Sequence, residues 1–353
     1  MTNREIAAQL NISPATLSLV INNKPGLSVA TRDRVLRDIE AHGFSHILKK
    51  PDEAAPSADG PQAMAQNNIC FVVYKRDGKI LDSHSFFLLL IESIESYAQR
   101  FGYNTLFLSI DRRMPMEPQI QRLNAIGCKG SIIFATEMME DDISYFSSVT
   151  HPFVLLDNDF PNMNIDSVAI NNMLGTSQAV EYLVRMGHRH IGYLQSSNPI
   201  NSFVERELGF MRALAHFNLA VDANNVYKVN YTEDGAYQDF RKYLSLKPTL
   251  PTAFFSDDDT IIVGAMKALA EIGVSVPHDV SLIGFNDRPA YAKSSPALTT
   301  INVPKFAFGA MAVDLLIKRI ENPDLNKEGK QSYKYRIGTE LVVRNSVAPP
   351  VSD

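Results

Sequence analysis

The chain has 353 residues, 45% hydrophobic and 21% charged, which exceeds one ordinary domain and matches a globular composition. No apolar run approaches the ~18 residues of a membrane span, and the start lacks the basic, apolar, small-residue order of a secretory leader, so the chain reads as cytoplasmic with no membrane partner. The net charge of −5 speaks against a nucleic-acid partner, yet residues 1–50 hold seven Lys and Arg against four Asp and Glu, a small basic head on an acidic body.

The first elements are short helices. Ile6, Leu10, Leu17, Val20, Ile21, Val35, Leu36 and Ile39 fall at helical spacings within residues 1–46. Two patterns in "REIAAQLNISPATLSLVINN" are too short to stand alone and are joined by Leu10-Asn11-Ile12-Ser13. A third, "SVATRDRVLRDIEAHGF", can be capped by Ser28 and stopped by Gly43, and completes a miniature core. That arrangement predicts a helix-turn-helix, whose second helix enters the major groove N-terminus first. Ser13 suits the N-cap and Pro14 the first helical position, and Ala15 lets the backbone approach a duplex closely. Thr16 and Ser18 can bond phosphates, with Arg4, Asn22, Lys24 and Ser28 as further contacts. The other reading of these residues is a small helical bundle for protein contacts.

Residues 47–67 read as a flexible hinge or linker. "KPDEAAPSADGPQAMAQN" has three prolines and no apolar periodicity.

From Ile69 the pattern alternates. Strand runs "ICFVVY", "TLFLSI", "GSIIFA", "PFVLLD", "SVAI", "HIGYLQ", "TAFFS" and "DVSLIGF" are separated by helical runs that include "FFLLLIESIESYAQRFG", "NNMLGTSQAVEYLVRMG", "VERELGFMRALAHFN" and "DDTIIVGAMKALAEIG". Continuous apolar strands between helices predict parallel sheets covered on both faces. Residues 68–353 are about twice one such unit, which predicts an α/β body of two doubly wound lobes, 68–160 with 288–321 and 161–287 with 322–346. Ligands bind such sheets beyond the carboxyl ends of the strands. Cys70 and Cys128 read as buried free thiols, and no Cys/His spacing suggests a metal. Phosphate loop, dinucleotide fingerprint and nucleophile elbow are all missing, so neither an enzyme nor a cofactor is expected.

"EIAAQLNISPATLSLVINNKPGLSVATRDRVLRDIEAHGF" resembles the head of the lactose-repressor (LacI/GalR) family of bacterial transcription regulators. "GTSQAVEYLVRMGHRHIGYL", "DVSLIGFNDRPAYAKSSPALTTINVP" and "IGTELVVRNS" are similar to that family's inducer-binding core, a bilobed fold of the periplasmic-binding-protein kind. The resemblance implies a homodimeric repressor, an operator DNA and a small, sugar-like effector. It places effector contacts at Phe86, Phe87, Asp157, Asp159, Ser202, Arg206, Tyr231, Asp258 and Asn286, with Asp258 facing ligand and Asp259 capping its helix. Two departures stand out. Leu19 occupies a position where the family usually has arginine, and an apolar reader can meet a thymine methyl but cannot fork onto guanine. The family's Tyr-x-Pro-Asn…Ala-Arg-x-Leu hinge is replaced by "FSHILKKPDEAAPSADGP", which leaves Leu48 as the possible minor-groove wedge. The alternatives are a solute-binding protein without regulatory DNA binding, and a regulator whose co-effector is a phosphoprotein.

Overall fold

A computed structural model describes residues 67–80, 86–220, 222–246, 249–326 and 331–351 and, near the N-terminus, residues 6, 7, 9, 10, 12, 13, 16, 17, 20, 31, 34, 35 and 37–39. The chain divides into two compact units, Met1–Ala63 and Met64–Asp353. In the first, Ile6, Ala7, Leu10, Leu17, Val20, Val35 and Ile39 are buried together, the apolar set expected from the helical spacing. Ser13 Oγ accepts the Thr16 backbone N–H at 3.0 Å, an N-cap bond, and lies 2.8 Å from the Thr16 hydroxyl. Arg4, Pro14, Ala15, Ser18, Leu19, Asn22, Lys24 and Ser28 lie outside the described residues, as do Leu48 and the expected linker up to residue 66.

The second unit is built on two six-stranded sheets. Sheet A takes β1 (Asn68–Lys75), β2 (Asn104–Asp111), β3 (Gly130–Phe134), β4 (Phe153–Leu156), β5 (Ser167–Ile170) and β11 (Lys334–Ile337), in the order β11-β5-β4-β3-β1-β2, all parallel. Sheet B takes β6 (Ile191–Ser196), β7 (Val226–Val229), β8 (Ala253–Ser256), β9 (Ser281–Asn286), β10 (Thr299–Asn302) and β12 (Glu340–Val342), in the order β12-β10-β9-β8-β6-β7, with only β12 antiparallel. β3 to β6, β8 and β9 are buried at every or nearly every position, because helices cover both faces. Those helices are α1 (Phe86–Arg100), α2 (Met116–Ala125), α3 (Asn172–Arg185), α4 (Asn201–His216), α5 (Glu233–Leu246), α6 (Asp259–Glu271) and α7 (Lys305–Glu321). Among them α1 pairs with α7, α3 with α4, and α5 with α6.

The two lobes are present, but the chain crosses between them later than the sequence suggests. β5 and β11 belong to sheet A and β10 to sheet B, so the crossings fall near residues 171, 303 and 338 rather than 160, 288 and 322. The reason is physical: β5, β10 and β11 are four-residue strands that fit either sheet, and only the hydrogen-bonded neighbour decides. The first and third crossings are tied together by the Asn171 N–H on the Ile337 carbonyl at 2.9 Å. Among the described residues no helix is long and apolar enough to cross a membrane.

Candidate functional site

The carboxyl ends of β3 and β4 in the first lobe, and of β6, β8 and β9 in the second, carry buried polar residues where each chain leaves its sheet. Three residues at these ends are not glycine yet sit in the left-handed region: Asp157 at φ 66°, Asn286 at φ 100° and the half-buried Asp287 at φ 47°. Such backbone persists where the surroundings over-determine it, and it clusters at ligand sites.

In the first lobe, Asp157 is buried and accepts the Thr136 hydroxyl at 2.6 Å, while its other carboxylate oxygen has no hydrogen-bond partner among the described residues. Burial pushes its carboxyl up to about 6, against the Thr136 bond and the Arg206 charge. Asn158 is structural: its amide donates to the Ala135 and Met138 carbonyls, each at 2.8 Å, and accepts from Asn201 of the second lobe at 2.8 Å. Asp159 turns away from a ligand role. Its oxygens are taken by Lys334 at 2.6 Å, Arg336 at 2.9 Å and the Ser167 hydroxyl at 3.0 Å. Burial alone would raise the Asp159 carboxyl, but these donors hold it below the usual carboxylate range.

In the second lobe, α4 places Ser202, buried, in its first turn and Arg206 one turn on, only 2% exposed. Arg206 Nε donates to Asn172 Oδ1 at 2.9 Å and Nη1 to the Asp257 carbonyl, and the guanidinium lies 3.7 Å from the Phe285 ring centroid. Tyr231 packs beside it through Phe203, ring centroids 5.8 Å apart.

The acidic run Asp257-Asp258-Asp259 is fully buried, and each carboxylate has separate work. Asp257 accepts the Tyr193 hydroxyl and the Ser196 N–H at 2.7 Å. Asp258 Oδ1 caps α6 by accepting the Thr260 N–H at 2.8 Å, and its Oδ2 takes Asn286 at 2.5 Å, Arg288 at 3.1 Å and the Tyr231 hydroxyl at 3.4 Å. Asp259 accepts the Thr300 hydroxyl at 2.6 Å and the Arg288 N–H at 2.9 Å. The expected capping by Asp259 is therefore corrected: Asp258 caps the helix, and Asp259 instead joins Thr300 of β10 to the backbone that follows β9. A side chain leaving the strand in extended conformation reaches the helix's free N–H groups, while the next residue already points back into the sheet. Gly284 is required here, since a Cβ would stand 2.1 Å from Asp259 Oδ1. Burial raises Asp257 and Asp259 to about 7 each.

Sequence reasoning missed Arg288, 4% exposed, whose guanidinium donates to the Tyr231 hydroxyl at 2.5 Å and to Asp258. It also missed Lys305, which donates to the Asn286 carbonyl at 2.8 Å. The available signal was three consecutive aspartates at the end of an apolar strand, which demand buried donors and cations. Asn286 donates its amide N–H₂ to Asp258 at 2.5 Å, which leaves only its oxygen end to accept from a ligand hydroxyl. Phe86 and Phe87 open α1, and their side chains lie outside the described residues. Asp157, Arg206, Tyr231, Asp258 and Asn286 are brought to one end of the two sheets. Towards β1 and β2 that end continues into a pocket of about 290 Å³ lined by Arg76, Ile80 and Glu137 of one lobe and Asn198 to Ile200 of the other.

A helix-turn-helix head followed by a bilobed α/β body with polar strand ends defines a class: DNA-binding transcriptional regulators that answer to a small molecule. The sequence profile for bacterial regulatory proteins of the lacI family matches residues 2–46, and that for the periplasmic binding protein-like domain matches residues 180–347. The chain thus carries a lacI-family DNA-binding head and a periplasmic binding protein-like domain in its body. It is 29% identical over 352 residues to the HTH-type transcriptional repressor PurR of Haemophilus influenzae (strain PittEE), covering 98% of each chain, and 27% identical to that of Pasteurella multocida. Among solved structures it is similar to the transcriptional regulator CelR in complex with cellobiose, at TM-score 0.70 and 22% identity, covering 98% of this chain and 99% of that one. It is also similar to a LacI family transcriptional regulator from Enterococcus faecium with bound ribose, at TM-score 0.66 and 26% identity, covering 80% and 99%. The lac repressor dimer bound to operator and the anti-inducer ONPF matches at TM-score 0.68 and 22% identity, covering 99% of both. The match at the head favours a DNA-binding regulator over a solute-binding protein.

Proposed function

We propose that the chain is a cytoplasmic homodimeric repressor, without enzymatic activity, that reads a near-palindromic operator through paired heads. One head reads one half-site, so a specific site needs two. Its effector is a small polyhydroxylated molecule of the carbohydrate kind, held between the lobes. The observation that carries this reading is the carboxylate oxygen of buried Asp157 that has no partner among the described residues, set within electrostatic reach of the buried guanidinium of Arg206. A sugar hydroxyl donates one hydrogen bond and accepts another, and this pair supplies the acceptor and the donor. The amide oxygen of Asn286 and the hydroxyl of Ser202 extend the set, Phe86 and Phe87 remain candidate stacking rings, and Tyr231, Asp258 and Arg288 form the wall behind it. Cellobiose and ribose, bound in two of the solved relatives, support a carbohydrate. A ligand that bridges the lobes favours their closed arrangement and so alters operator affinity only as far as its affinity differs between arrangements.

The test has two arms. Binding-site selection from random duplex should return a near-palindrome, and a thermal-shift screen of mono- and disaccharides on the full-length protein should find ligands that also change affinity for that site. Ligands that raise the melting temperature without altering operator affinity would refute the regulatory reading, and a carbohydrate screen without hits would refute the effector class.

A further inference from the structure

Arg206 faces the site as a buried cation whose hydrogen bonds go to an amide and a carbonyl, so its direction depends on what holds Asn172. The Asn172 amide has two unlike ends. Its oxygen accepts Arg206 Nε at 2.9 Å, and its N–H₂ donates to Glu205 Oε2 at 2.7 Å. Glu205 therefore sets which end of the amide meets the guanidinium, because a flipped amide would press donor against donor. The other oxygen of Glu205 accepts Arg336 Nη1 at 2.6 Å, and Arg336 Nη2 reaches Asp159 Oδ2 at 2.9 Å. Arg336 lies on β11 and Asp159 follows β4, both in the first lobe, whereas Glu205, Asn172 and Arg206 lie on α4 and α3 of the second. The Arg336–Glu205 bond thus passes from one lobe to the other, beside the crossing near residue 338.

Taking Arg206 as the effector's donor, we propose that Arg336 and Glu205 are positioning residues that aim it from the opposite lobe, so that the binding arginine is organised only when the lobes stand together. Arg336 suits this because its planar fork engages two carboxylates at once, which a lysine ammonium cannot do in the same geometry. Lys334, on Asp159 Oδ1 at 2.6 Å, completes a charge-balanced set and leaves the Arg206 charge for the ligand. Glu205 and Arg336 side chains are 26% and 33% exposed, so the pair adds little to stability, and its role is geometric.

Hydrogen–deuterium exchange of the full-length protein without ligand tests the relay independently of the effector's identity. Arg336→Gln should speed exchange about five-fold or more in peptides spanning 170–176 and 201–208 of the second lobe. Peptides from β8 and β9 should not change. Arg336→Lys, which keeps the charge and the fold, should give a smaller effect in the same two peptides. Acceleration confined to the first-lobe peptides 157–168 and 331–338, or spread uniformly over sheet B, would overturn the proposal.

Discussion

Arg206→Ala probes the site most sharply. The substitution removes the donor to Asn172 Oδ1, the donor to the Asp257 carbonyl and the cation on the Phe285 face. Ligand binding loses one hydrogen bond to a charged group, about 1.5–3 kcal/mol, or roughly 10- to 150-fold in Kd. Folding should suffer less. The two lost protein hydrogen bonds are offset by relief from burying a cation, and the space left beside the cleft can admit water rather than remain a dry void. Asp157 and Asp257 also lose the charge that lowers them, so both carboxyls move further up. Calorimetry with the best ligand from the screen, alongside anisotropy titrations of the operator, separates the two effects. Operator affinity without ligand should stay within about two-fold, since no DNA contact is removed. A variant that binds ligand as tightly as the parent, or that loses operator binding while still folded, would refute this assignment of Arg206.

Asp258→Ala should cost stability by roughly 2–4 kcal/mol in denaturant melts, because the cap of α6 and the carboxylate opposite buried Arg288 go together. A loss below about 1 kcal/mol would show the wall to be slack. Asp257 titrates at about 7 in the folded chain against 3.8 for an ordinary aspartate. Between those values the folded state holds a proton that the unfolded chain has released, so its contribution to stability falls as pH rises through that window and levels off above it. Asp257→Asn cannot ionise, so the variant should gain on the parent from pH 5 to 7.5, by at most about 1.4 kcal/mol per pH unit. Parallel stability curves would contradict the raised carboxyl. Leu19→Arg should shift the selected half-site toward guanine by about 1–3 kcal/mol, and an unchanged motif would show that residue 19 does not read bases.

The helical head and the alternating sheets were legible in the sequence because each rests on a local pattern: a cap before a helix, an apolar run between helices. The crossings were not, since β5, β10 and β11 are four-residue strands whose sheet is chosen by pairing. The helix cap was assigned to Asp259 rather than Asp258 because adjacent aspartates at a strand end differ only in backbone direction. Asp159 looked like a ligand acceptor until β11 brought Lys334 and Arg336 to it from 175 and 177 residues away. Arg288 escaped notice for a similar reason: its partners Tyr231 and Asp258 lie 57 and 30 residues off.

The central claim is that one ligand in the cleft and one operator at the head are thermodynamically linked. The direct measurement is operator Kd for the full-length protein with and without saturating ligand, paired with ligand Kd with and without saturating operator. Linkage requires both ratios to be the same factor, expected at about 5- to 150-fold. Two equal ratios in that range would bear the account out; an operator Kd indifferent to ligand, with both partners bound, would contradict it.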